Sequence, residues 1–230
     1  MNSNKLQDLQ QELILEALQL KVFKVNAKTP FQWASGYMMP VYNDNRILLR
    51  KNFTRKLIVE IFKQKFDPVI WPHEPIFAGI VTAGVPWAVL FAQESDLQFI
   101  YVRDKPKDHG MKNQIEGIPA DENLGGEYIV MVEDLISTGG STKKAIEAVR
   151  QAGGNVKYCI SIFNYGFPEA DKLFEEVDCK VISLITFDEV WETALKNGYL
   201  SQEQVTICAE WQKDPWNWGE KHGFPKVEKK

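Results

Sequence analysis

Cysteine is scarce in this chain: three residues in 230, Cys159, Cys179 and Cys208, with no C-x-x-C spacing. An odd count without a motif argues against a disulfide framework and against a structural zinc site, and it fits a reducing compartment. No apolar run reaches the ~18 residues that span a bilayer, so membrane insertion is not expected. Excess basic charge is missing too. Lys and Arg number 27 against 31 Asp and Glu, a formal net charge of −4. A mildly acidic protein has no global field that draws it to nucleic acid. The first residues, MNSNKLQDLQQ, are polar and do not resemble a signal peptide, which leads to a cytoplasmic expectation. Internal repeats and low-complexity linkers are absent. So are the Gly-Lys-Ser/Thr of a Walker loop and the G-x-G-x-x-G of a dinucleotide fingerprint.

What is present is a chain 44% hydrophobic, enough for one substantial core with a small appendage. Leu6, Leu9, Leu13, Ala17 and Leu20 keep a helical period. PFQWASGYMMPVYNDNRILL mixes aromatics with Pro, Gly and Asn and predicts short strands and turns. Asn52 is expected to cap a helix through Phe53, Leu57, Ile58, Ile61 and Phe62. Apolar strands then alternate with helices. IFAGIV (76–81), QFIYV (98–102), EYIVMV (127–132), VKYCISIF and KVISLITF are the strands. PWAVLFAQ (86–93), STKKAIEAVRQAG (141–153), a segment near 168–176 and Asp188 to Lys196 are the helices. That alternation predicts an α/β fold with parallel pairing and helices on both faces. Residues 103–125 carry many charges and no apolar period. DPWNWGEKHGFP is expected to pack on the body, and the KVEKK tail to fray.

The most informative stretch runs from Tyr128 through Glu133, Asp134, Ser137, Thr138, Gly139, Gly140, Ser141 and Thr142 into a helix. An apolar strand ends in two acids, followed by a turn rich in hydroxyls and glycine. Free N–H groups in such a turn, with the positive end of the helix dipole, hold a phosphate. Two adjacent carboxylates suit the two hydroxyls of a ribose. In open α/β sheets ligands sit beyond the carboxyl ends of the strands, where this turn lies. A second stretch places Arg103, Lys105, Lys107, His109 and Lys112 within ten residues, with Gly110 and Gly117 as hinges. A closing cationic loop would meet the charge of an anionic group and exclude water.

VMVEDLISTGGST closely resembles the signature of type I phosphoribosyltransferases. YVRDKPKDHG with NQIEG resembles the catalytic loop of the orotate phosphoribosyltransferases within them. Phe31-x-Trp33-x-Ser35-Gly36 and Pro40-x-Tyr42-x-Asp44-Asn45-Arg46 resemble that family's front hood. Thr82-Ala83-Gly84-Val85-Pro86 resembles its T-A-G-I-P loop, which accommodates a cis peptide. The resemblance implies the type I fold, a mainly parallel central sheet flanked by helices with a small hood subdomain. The division expected is 1–50 for the N-terminal helix and hood, 51–200 for the core, and 201–230 for a C-terminal helix and tail.

By the same resemblance Glu133 and Asp134 contact the ribose hydroxyls, and Ser137, Thr138, Gly139, Gly140 and Ser141 hold the 5-phosphate. Thr82, Ala83 and Gly84 hold the pyrophosphate with Lys105. Arg103, Lys107 and His109 act in catalysis. Ser35, Gly36, Tyr42 and Arg46 face the base, with Tyr42 as the stacking ring. The implied substrates are phosphoribosyl pyrophosphate and orotate. Mg2+ is held mainly by substrate rather than by protein ligands, and a homodimer shares its active sites. Asp104, Met38, Met39 and Ala83 depart from the family's usual residues. Arginine is missing from Asn164-Tyr165-Gly166-Phe167, where many members have one for the orotate carboxylate. Arg46, amides near Gly36 and the Asn164–Gly166 turn are the candidates to replace it. A phosphoribosyltransferase for another base, and a donor-binding regulatory protein without turnover, are the alternatives.

Overall fold

The computed structural model describes residues 3–66, 74–105, 114–119 and 122–225. The chain enters with α1 (Ser3–Gln19), whose helical period buries Leu13 and Ala17 completely. Four short strands follow: β1 (Phe23–Val25), β2 (Phe31–Gln32), β3 (Met38–Met39) and β4 (Val41–Asn43). β1 pairs antiparallel with β4 and β2 with β3, making the two ribbons of a hood. Asn45–Arg50, expected among short strands and turns, forms a 3-10 helix whose N-cap is Asp44; its side chain accepts from the amide of Arg46. α2 (Asn52–Lys65) follows at once. Asn52 is therefore not its cap. The one extended residue between the two helices is Lys51, so Asn52 already lies inside α2.

The core alternates as the apolar runs require: β5 (Ile76–Ile80), α3 (Gly84–Ser95), β6 (Phe99–Val102), β7 (Ile115–Glu116), β8 (Tyr128–Ile136), α4 (Gly140–Gln151), β9 (Asn155–Asn164), α5 (Pro168–Glu176), β10 (Lys180–Thr186) and α6 (Phe187–Lys196). Six strands form one sheet in the order β10-β9-β8-β5-β6-β7. Every pairing is parallel except β6 with β7. The sheet is covered on both faces, as parallel strands require. Val130 and Val132 of β8 pack with Phe62, Trp87 and Phe91 of α2 and α3. Ile129 and Met131 pack with Ile146 and Val149 of α4 and Phe174 of α5.

β8 runs further than its apolar segment. Glu133 pairs with Ser161 and Ile136 with Asn164 of β9, so the two acids lie within the strand rather than after it.

Two helices complete the described chain, α7 (Gln202–Lys213) and α8 (Pro215–Lys221), where one was expected. Asp214 and Pro215 separate them, since proline cannot continue α7 but suits the first turn of α8. They brace the hood. Trp211 donates from Nε1 to the sulfur of Met39 at 3.1 Å, and Tyr37 lies edge-on to Trp216 at 5.1 Å. α8 comes so close that a Cβ on Gly219 would sit 3.0 Å from the carbonyl of Met38.

All three cysteines are free and buried. Burial pushes the Cys179 thiol up to about 11 and the Cys208 thiol up to about 12, which leaves both as inert core groups.

Candidate active site

A cleft of about 470 Å³ opens where the hood meets the ends of β5 and β8. Its lining comprises Asn43 to Arg46 from the hood side, Val81 to Ala83 after β5, Glu133 to Leu135 of β8, and Ser141 of α4. This is the carboxyl end of neighbouring parallel strands, where the geometry of an open α/β sheet leaves room for a ligand.

The turn after β5 is pressed against β8. A Cβ on Gly84 would lie 2.2 Å from the carbonyl oxygen of Val132 and 3.2 Å from Cα of Glu133. Glycine alone permits that approach. It brings Thr82 and Ala83 beside the acids, with the Val81–Thr82 peptide in the cis form.

Glu133 is 7% exposed, and its Oε1 accepts from the amide of Asp134 at 3.0 Å. Burial raises its pKa well above the usual carboxylate range, and the neighbouring Asp134 charge adds to the rise. Asp134 is half-buried; burial raises it, while a hydrogen bond with Glu133 and the charge of Arg46 pull it back. Two carboxyls thus sit at the wall with little solvation, and of the described cations Arg46 acts on Asp134. That state suits groups waiting for hydroxyl donors or a charged ligand.

The turn into α4 is open toward anions. Gly139 adopts a left-handed φ of 78°, and a Cβ there would also meet the ring of Phe174 at 2.8 Å. No side chain caps α4, so the first-turn amides lack partners inside the helix. Ser137 and Thr138 form the bend before it, half-buried, and Gly140 begins the helix.

The structure thus gathers Thr82, Ala83, Glu133, Asp134, Ser141 and Arg46 around one cleft. Arg46 is well exposed and holds Asp44 through Nε at 2.6 Å, an interaction that raises the pKa of the guanidinium. Tyr42 lies off this lining, tilted on Phe31 at 5.7 Å with the ammonium of Lys24 5.9 Å from its ring centre. Ser35 and Gly36 form the tip of the β2–β3 hairpin. The Gly36 amide donates to the Trp33 carbonyl at 2.8 Å. Arg103 is held by Glu116 at 3.4 Å at the end of β6, and Lys105 is exposed just beyond. Lys107 and His109 lie outside the described residues.

Sequence reading missed three lining residues of the hood, Asn43, Asp44 and Asn45. Asn45 donates from Nδ2 to the Asp134 carbonyl at 2.8 Å and so fastens the hood to β8. The Asp-Asn-Arg string was the available signal.

Fold and cleft together define the class of phosphoribosyl transferases, and the family described as the phosphoribosyl transferase domain matches residues 47–197. A curated orotate phosphoribosyltransferase of Phocaeicola vulgatus is 41% identical over 205 residues, covering 87% of this chain and 92% of its own. That of Cytophaga hutchinsonii is 38% identical over 211 residues, covering 90% and 97%. Among solved structures, orotate phosphoribosyltransferase from Aeropyrum pernix superposes with a TM-score of 0.67 at 25% identity, over 82% of this chain and 99% of that one. UMP synthase of Leishmania donovani gives 0.72 at 21% identity, a likeness of fold over 88% of this chain and 42% of that longer chain. The chain belongs to the orotate phosphoribosyltransferases, enzymes of pentosyl transfer. No helix among the described residues is long and apolar enough to cross a membrane.

Proposed function

We propose that this chain transfers the phosphoribosyl group of 5-phosphoribosyl 1-pyrophosphate to orotate, giving orotidine 5-phosphate and pyrophosphate in the synthesis of pyrimidine nucleotides. One observation carries the reading. Two under-solvated acids, Glu133 and Asp134, stand in the same cleft as the uncapped start of α4 and the Thr82–Gly84 turn. A sugar phosphate matches that set. Its ribose hydroxyls donate to the two carboxylates, and its 5-phosphate takes the amides and hydroxyls of Ser137, Thr138, Gly139, Gly140 and Ser141. Thr82, Ala83 and Gly84 hold the pyrophosphate from the other side, with Lys105.

The C1–pyrophosphate bond loosens first, and the ring nitrogen of orotate then attacks from the opposite face with inversion. No protein nucleophile is needed. Arg103, Lys107 and His109 neutralise the departing charge, and His109 shares a proton with it. The carboxylate oxygens of Asp44, Glu133 and Asp134 at the cleft are hard donors that fit magnesium. Among the described residues no cluster of three or more His, Cys, Asp and Glu forms a metal cage. By the family resemblance the ion would arrive on the donor's phosphates, where it would supply charge neutralisation.

Arg46 is assigned to the orotate carboxylate. Of the other candidates, the Gly36 amide donates to the Trp33 carbonyl, the Tyr165 amide to the Ile136 carbonyl and the Gly166 amide to Oδ1 of Asn164. Tyr42, Ser35 and Gly36 form the hood over the base. The divisions 1–50, 51–200 and 201–230 stand as functional parts: hood, core and brace. The cytoplasm and a homodimer with shared sites complete the proposal. Incubation with orotate, donor and magnesium tests it. Loss of orotate absorbance with release of pyrophosphate is expected, and preference for a purine or uracil in a panel of bases would overturn the choice of acceptor.

A further inference from the structure

An indole N–H can only donate, so once buried it finds an acceptor or stays unpaired. Among the described residues Trp87, Trp191 and Trp218 leave Nε1 buried without a partner. The tryptophans at the hood differ. Trp33 donates to the Val41 carbonyl at 2.9 Å, and Trp211 to the sulfur of Met39. Trp216 donates to a carboxylate, through Oε1 of Glu169. A charged acceptor makes such a bond stronger than a neutral one does.

What Trp216 supports cannot support itself. β2 and β3 pair over two residues each, and so short a ribbon is not stable alone. Tyr37, just before β3, lies against Trp216 with the ring planes at 64°. Trp216 also meets the ring of Phe167 at 6.0 Å. Its acceptor Glu169 stands in the first turn of α5. The same helix lays Leu173 and Phe174 against Gly139 in the turn open to anions. The hairpin and the anion turn are thus both located against α5, and Trp216 is the link on the hood side. Trp216 itself lies outside the lining of the cleft.

We infer that Trp216, locked by Glu169, is a positioning residue for the acceptor: it holds the β2–β3 hairpin in its covering place without touching substrate. The inference rests on the proposed orotate reaction, in which that hairpin lies over the base. The groups assigned to the donor belong to the core: the Thr82–Gly84 turn, Glu133 and Asp134 of β8, and the start of α4. A loosened hairpin therefore falls on the base and leaves the donor site standing. A hairpin free to wander occupies its covering position only part of the time. Apparent affinity for the base drops by that fraction. Turnover, once both substrates are bound, is unchanged.

The experiment measures initial rates with orotate and donor varied in turn, magnesium present. The chains are the wild type, Trp216→Phe, Glu169→Leu, the double variant and Glu169→Gln. Trp216→Phe keeps a ring against Tyr37 and removes the N–H. In it and in Glu169→Leu the KM for orotate is expected to rise about tenfold, with kcat and the KM for donor unchanged. The double variant should be no worse than the worse single one, since both changes break the same bond. Glu169→Gln keeps a carbonyl acceptor and should restore most of the wild-type KM. Should Trp216→Phe not fold, Glu169→Leu against Glu169→Gln carries the comparison. An unaltered KM for orotate in the folded single variants would overturn the assignment. So would additive losses in the double variant, and so would a joint fall of Tm, kcat and donor affinity, which marks a structural role. A wild-type chain that takes no orotate would instead overturn the reading on which the assignment rests, and the assignment with it.

Discussion

Glu133 accepts from the amide of its neighbour, shares a hydrogen bond with the Asp134 side chain and is walled off from water. Burial lifts its pKa. Above the ordinary glutamate range of about 4.3, the unfolded chain has released a proton that the folded chain still holds. The folded state then binds more protons, so stability falls as pH rises toward the raised value. Glu133→Gln keeps a carbonyl for the Asp134 amide and removes that penalty. We expect it to melt above the wild type near pH 8, with the gap closing near pH 5, in thermal scans without ligand. The same change should weaken donor binding. Asp134→Asn should weaken it too, by about tenfold or more in calorimetry; an unaltered affinity would remove the ribose contact. Lys107→Ala should lower kcat far more than donor affinity, because its charge is needed as the pyrophosphate leaves. An unchanged turnover number would take that residue out of the mechanism.

Two kinds of contact join elements at the cleft: the Asn45 side chain ties the hood to β8, and α3 meets β8 backbone to backbone. The start of α3 touches β8 at Gly84, where no Cβ fits beneath the Val132 carbonyl. Gly84→Ala must push α3 off β8. It should cost about 1–3 kcal/mol, read as a lower urea midpoint at constant m, and it should loosen the donor site as well. The alternating elements were legible because a helical period marks α1 and α4 and continuous apolar runs mark β5 and β9. Short or context-bound features were not. β7 has only Ile115 and Glu116 and exists because β6 offers an edge. The extension of β8 through Glu133 and Asp134 depends on β9 supplying Ser161 and Phe163 as partners. Met39, an oddity in the sequence, is buried and accepts from Trp211, a tertiary fact that no local pattern carries. The cleft divides in the same way. Thr82, Glu133, Asp134 and Ser141 could be named from motifs, whereas Asn43 stands out only once burial and missing partners are known.

At the scale of the whole molecule, the proposed exchange of cationic loops makes each site the joint property of two copies. Mixing Lys107→Ala with Asp134→Asn, each strongly impaired alone when donor is limiting, should restore about a quarter of wild-type activity after subunits redistribute, since half the dimers then hold one intact site. Activity that never returns would show each site to be built within one copy. The brace beneath the hood bears on how the molecule comes into being. β3 lacks its underside until Trp211 reaches Met39, a residue translated 172 positions earlier. On the ribosome the sheet can assemble strand by strand while the hood, the proposed cover of the base, still lacks its support. Competence to capture a pyrimidine is therefore among the last things a newborn copy acquires.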